Sequence, residues 1–96
     1  MVKHFVLFKL KDDSLQNREK ARDVLMSMKG NVPLLRDIDV HIDQLRSERS
    51  YDVMLEVVLD SWDALTAYQS DPYHCEVVKK HMHAVRLSSV AFDYEF

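Results

Sequence analysis

The chain has 96 residues and a mass of 11.3 kDa, the size of one small domain, which buries only about 65% of the surface its unfolded form exposes. Apolar residues make up 47% and charged residues 30%, with one glycine and two prolines, so collagen-like, low-complexity and disordered classes are excluded. A formal charge of -3, from 13 basic and 16 acidic residues spread along the sequence, gives neither a nucleic-acid footprint nor a basic membrane-surface helix.

Residues Val2 to Leu10 are rich in β-branched and aromatic side chains with partial alternation and predict a strand. Val2, His4, Val6, Phe8 and Leu10 share one face, and Phe5 and Leu7 make the centre of the other face apolar too, so both sides of this strand should be covered. Lys11-Asp12-Asp13-Ser14 supplies turn and N-cap chemistry for a helix over Leu15 to Lys29, stopped by Gly30 and by Pro33 three residues later. Arg36 to Leu45 alternates cleanly and predicts a strand with one wet face, carrying Asp37, Asp39, His41 and Asp43. The polar segment Arg46-Ser47-Glu48-Arg49-Ser50 connects it to a strand over Tyr51 to Leu59. Asp60-Ser61 caps a short helix from Trp62 to about Ser70. Asp71-Pro72 breaks that helix and starts another, to about Val85, with Pro72 at its first position. Arg86 to Phe96 reads as a last strand with Val90, Phe92, Tyr94 and Phe96 on one face.

Strand, helix, strand, strand, split helix, strand is the βαββαβ order of an α+β, ferredoxin-like domain over residues 1–96: four antiparallel strands with the helices on one face. The other sheet face is then bare. Its apolar residues on the first and last strands predict a homodimer through the sheets. No apolar run reaches the ~18 residues of a membrane span, no signal-peptide block follows Met1, and the single Cys75 permits no internal disulfide. A soluble cytoplasmic protein is expected, with neither nucleic acid nor membrane as partner.

Five histidines are the main chemical asset, since only imidazole titrates near neutrality unperturbed. His74 and His81, seven apart, fall within ~20° of each other on the last predicted helix, on an inward stripe with Val77, Val78 and Val85. His83 is turned ~200° from His81 toward Lys79 and Lys80, and no i, i+4 histidine pair, HExxH or carboxylate cluster accompanies them, so neither a metal nor another cofactor is expected. Cys75 points about 100° from His74, which argues against a Cys-His nucleophile. An inward His4 or His74 needs a hydrogen-bond partner or a wet cavity. Tyr68, six residues before His74 across the Pro72 break, is the candidate partner. Together they could relay a proton in a pocket walled by Phe5, Leu7, Trp62 and Val77, suited to a small aromatic or polyketide-like guest. Against this stands a purely structural histidine-tyrosine pair in a small core.

The start Val2-Lys3-His4-Phe5-Val6-Leu7-Phe8-Lys9, the stretch Tyr51-Asp52-Val53-Met54-Leu55-Glu56-Val57, the segment Ala67-Tyr68-Gln69-Ser70-Asp71-Pro72-Tyr73-His74 and the closing Phe92-Asp93-Tyr94 together resemble the stress-responsive α/β-barrel (Dabb) family. The resemblance spans almost the whole chain. It implies a dimeric ferredoxin-like barrel in a family that includes plant stress-induced proteins and a plant polyketide cyclase forming olivetolic acid. By that resemblance Tyr68 and His74 match a catalytic tyrosine and a general-base histidine, and His4 matches a pocket histidine. A further pocket histidine falls at Val53, and the histidine before the proline is replaced by Asp71. The expected function is a homodimer with a small apolar pocket that binds or transforms such a molecule by His-assisted proton transfer, as a cyclase or lyase. The rivals are a non-catalytic stress or assembly protein and a haem-handling or cofactorless monooxygenase.

Overall fold

A computed structural model describes residues 1–96. In chain order the elements are β1 (Val2–Leu10), α1 (Leu15–Met26), β2 (Asp37–Ile42), β3 (Val53–Leu59), α2 (Trp62–Gln69), a π-helical turn (His74–Lys79), α3 (Lys80–Val85) and β4 (Arg86–Glu95). The four strands form one antiparallel sheet in the order β2-β3-β1-β4. This is the ferredoxin-like arrangement that the alternation of strands and helices predicts.

Side-chain alternation sorts the sheet into two faces. On the helix side, Ile38 and Val40, then Val53, Leu55, Val57 and Leu59, then Val2, Phe8 and Leu10 are buried against Ala21 and Leu25 of α1, Met28, Val32, Tyr68, Val78 and Met82. Each fully buried aliphatic side chain there contributes ~1.5–3 kcal/mol. The opposite face carries Phe5 and Leu7 of β1, opposite Phe92 and Val90 of β4. Phe5 stacks on Tyr94, with Phe92 and Phe96 flanking that ring at 6.2 and 6.1 Å. Lys3 pairs with Glu56 at 3.0 Å across this face and its ammonium lies over the Phe96 ring. Val90, Phe92, Tyr94 and Phe96 are all exposed, so the subunit presents an unpartnered aromatic ladder.

Several boundaries differ from the sequence reading for identifiable reasons. Helix α1 ends at Met26 and not Lys29, because the chain tightens to three-residue hydrogen bonds, Met28 N to Leu25 O and Lys29 N to Met26 O, which swing Met28 into the core. Gly30 then takes φ +83°, the left-handed stop expected of it. Strand β2 ends at Ile42, since the Asp43 carboxylate turns back to accept from Arg46 N. Strand β3 begins at Val53: Asp52 instead donates its backbone N–H to Phe8 O and caps Leu10 N with its side chain. Strand β4 stops at Glu95.

Candidate functional site

The helix after Pro72 is not a regular α-helix. Asp71 Oδ1 accepts from His74 N at 3.0 Å and starts it, but over His74–Lys79 the backbone closes with one extra residue per turn. Each residue there advances through a smaller angle than in an α-helix. The buried row becomes His74, Val78 and Met82, while Val77 turns outward and is 41% exposed. That corrects the expectation of an inward Val77. Helical widenings of this kind recur at functional sites.

His74 lies almost flat on Tyr68, ring centroids 4.1 Å apart and planes 16° apart. Its Nδ1 donates to the backbone carbonyl oxygen of Tyr68 at 3.1 Å, which fixes the tautomer with the proton on Nδ1. No protein group bonds Nε2. Since every fully enclosed polar side-chain atom in the molecule has a partner, Nε2 keeps access to open space. Burial lowers the His74 pKa below its ordinary value and the Lys79 charge adds to this, against the opposing pull of the Tyr68 carbonyl and Asp71. At neutral pH the ring is therefore uncharged, with a free lone pair on Nε2.

His4 approaches from the sheet. It is buried on β1, its Nδ1 bonds the Asp93 carboxylate on the neighbouring β4, and its ring meets the edge of Tyr68 at 6.2 Å. Tyr68, His74 and His4 are thus brought together, but not by the phenol. The Tyr68 hydroxyl points into the core, where it donates to Met28 Sδ at 3.6 Å, and burial pushes its pKa well above the ordinary value. The sequence expectation of a hydroxyl that orients His74 or donates to a guest is corrected here: Tyr68 offers a ring face and a carbonyl. A Tyr68→Phe protein is accordingly expected to lose less than about 1 kcal/mol of stability, because thioether sulfur is a weak acceptor. Urea unfolding and the NMR titration of His74 check this; a loss above ~2 kcal/mol, or a displaced His74 titration, would restore a role for the hydroxyl.

Around these rings lies a cavity of about 210 Å³ between helix and sheet. Its walls are His4, Val6, Phe8, Leu25, Leu55, Tyr68, His74, Val78 and Met82, and its remaining lining is Gln69, Lys79, His83, Arg86 and Ser89. An engineered apolar cavity of ~150 Å³ holds benzene, so one substituted ring fits. Phe5 and Leu7 lie outside it because odd residues of β1 project to the open sheet face. Trp62 is also outside, half-exposed, with its indole N–H on Glu95. Val53 is buried on the helix face but opposite Phe8 and Ile42, and Leu55, two residues on, is the β3 residue that reaches the cavity. The sequence reading missed Leu55, Met82, Lys79 and Arg86. Alternation along β3 carried the signal for Leu55, whereas Met82 becomes visible only through the widened turn. No group of three or more His, Cys, Asp or Glu side chains converges as a metal site would require. His41 is exposed on β2 and paired with Asp39, and His81 is half-buried, so neither joins the site.

Comparison with known proteins agrees with this architecture. The family description "Stress responsive A/B Barrel Domain", Dabb, matches residues 2–96. No curated protein matches the sequence. Among solved structures, a dimeric protein of unknown function with a ferredoxin-like fold from Bacteroides fragilis is 26% identical, with 99% of this chain and 95% of that one covered at a TM-score of 0.82. A Dabb family protein from Mesorhizobium loti is 20% identical over 99% and 95% of the two chains, TM-score 0.78. The hydroxynitrile lyase of Passiflora edulis is 15% identical over 97% and 90%, TM-score 0.77, a likeness of fold. With the family match covering all but the first residue, the chain belongs to the stress-responsive A/B barrel (Dabb) family.

Proposed function

We propose that this protein is a homodimer, closed through the open sheet faces, in which each subunit's cavity takes a small aromatic or polyketide-like molecule and His74 acts as proton acceptor. The observation that carries the reading is the His74 ring, which lines the cavity: Nδ1 is tied to the Tyr68 carbonyl, and Nε2 is uncharged, unpartnered and not fully enclosed. That is the state a general base needs at neutral pH. Tyr68 supports the ring by stacking, and His4, held by Asp93, forms the wall opposite. Val6, Phe8, Leu55 and Met82 supply apolar surface for a guest. The dimer is supported by the exposed aromatic ladder and by the dimeric Bacteroides relative. That a hydroxynitrile lyase shares the fold is an analogy of scaffold and no more.

The test is NMR titration of the His74 imidazole with substituted phenols and short aryl β-diketones, followed by turnover assays on whichever compounds bind. Saturable movement of the His74 resonances is expected. Turnover should fall by about 10²–10⁴ in His74→Gln. The basic form is the active one and its pKa is lowered. The rate should therefore rise with pH through a midpoint below the ordinary 6.5 and be flat at neutrality. If no compound moves His74 and the substitution changes nothing, the second reading stands: a non-catalytic assembly protein, for which the aromatic ladder alone is the support.

A further inference from the structure

The charge around the cavity is one-sided. None of its lining residues is an aspartate or glutamate, although the chain has 16 acidic residues against 13 basic ones. Two permanent cations, Lys79 and Arg86, sit in the lining with His83. His83 is exposed and the two cations are half-exposed, whereas the histidines of the inner wall are buried, so Lys79, His83 and Arg86 form the mouth. Of the 13 lysines and arginines only Lys3, Arg22, Arg36 and Arg46 are matched to carboxylates. Lys79 and Arg86 have no carboxylate partner.

Their only bonds go to neutral groups, Lys79 Nζ to the Gln69 carbonyl at 2.9 Å and one Arg86 terminal nitrogen to Ser89 Oγ at 2.8 Å. Those bonds hold the two side chains in place without neutralising them. The carboxylates nearest the site are already engaged, Asp93 with His4 Nδ1 and Asp71 with the His74 backbone N–H. An anion entering here meets no like charge at the wall, and the guanidinium fork keeps donors free for two carboxylate oxygens.

We infer that the cavity selects a small monocarboxylic acid, its carboxylate bound by Arg86 and Lys79 at the mouth and its apolar part directed inward toward Tyr68 and His74. This rests on the proposed ligand-binding role of the cavity and narrows its substrate class. Placing the carboxylate at the mouth leaves the apolar end of the guest, and any acidic proton there, for His74 Nε2.

A matched pair of probes tests it: 3-phenylpropanoate and its neutral amide, 3-phenylpropanamide, each titrated by NMR into wild type, Arg86→Gln, Arg86→Lys and Lys79→Gln. The carboxylate is expected to bind wild type about tenfold more tightly than the amide, an advantage that shrinks as salt is raised. Arg86→Gln and Lys79→Gln should each remove most of that advantage and weaken the amide far less than the carboxylate, with Arg86→Lys in between. The carboxylate should also raise the midpoint of His74 by offsetting the Lys79 charge that lowers it, whereas the amide should not. If both probes bind equally, or both respond alike to the substitutions, the acid selectivity is overturned and the cavity reading survives. If neither binds at millimolar concentration while the protein is folded, the cavity reading falls and takes the selectivity with it.

Discussion

Phe92→Asp is expected to abolish self-association while leaving the subunit folded. Phe92 is 66% exposed in the middle of β4, between Val90 and Tyr94 and opposite Phe5, so in a sheet-to-sheet dimer it stands near the centre of the contact. Burying a phenylalanine is worth ~2–3 kcal/mol, and a two-fold interface loses it twice. With ~4–6 kcal/mol removed, the dissociation constant should rise by about 10³-fold or more, before the desolvation of two carboxylates is counted. Sedimentation velocity across a dilution series reads this directly. The control is Leu45→Asp, since Leu45 is 82% exposed but lies in a loop away from the ladder, and no change in assembly is expected there. A Phe92→Asp protein that still sediments as the wild type at every concentration would place the contact elsewhere. Wild-type melting temperature should rise with protein concentration, and that of the variant should not.

The second large effect concerns stability. Asp52 is 4% exposed and serves two partners, Leu10 N at 2.7 Å and Arg46 at 2.7 Å. Arg46 in turn reaches Asp13 and Asp43, and it holds a left-handed backbone, φ +57°, within the β2 to β3 connection. One carboxylate therefore fastens that connection to the end of β1. Asp52→Ala leaves the Leu10 N–H without an acceptor and the guanidinium without its best-buried partner. Because Arg46 remains partly in water, the effect falls at or below the low end of the range for broken buried ion pairs, about 2–3 kcal/mol. For a domain of this length that lowers the melting temperature by roughly 10–25 °C. Asp52→Asn keeps an acceptor for Leu10 and should lose about half as much. Urea unfolding at fixed protein concentration measures both; a change under ~0.5 kcal/mol in Asp52→Ala would show that the network carries no weight.

Asp52 also shows where sequence reasoning stops. The sequence reading placed it inside a strand starting at Tyr51. The strand starts two residues later, where the Asp52 carboxylate has reached across to take the Leu10 N–H, and period-two counting does not register a bond between residues 42 apart. The fold itself was legible, since the clean alternation of Ile38, Val40 and Ile42 and the helix cap at Ser61 are local signals with one physical meaning. The site was legible in part. His4 was placed on the inward face by its even position on β1, and Tyr68 and His74 were joined across the Pro72 break. What their contact consists of was not, because a stacked ring and a backbone carbonyl leave no mark in residue spacing. Nor does a widened turn, so the inward row was counted to include Val77 as well as Val78, and Met82 was missed. Phe5 and Leu7 were placed on the correct face, but the pocket was assigned to the wrong side of it.

The position of β1 governs how quickly this molecule can assemble. It is an inner strand of the sheet, yet Val2 must wait for Leu59 and Glu95 before both of its edges are satisfied, and His4 meets Asp93 at a sequence separation of 89. Closing such long loops before any reward arrives slows collapse to the native topology into the millisecond range or beyond. The two main helices can coil early, but they have no floor to rest on until those distant partners arrive. Through that interval Phe5 and Leu7 lie on a strand with both edges open, a stage at which crowded nascent chains are prone to stick to one another.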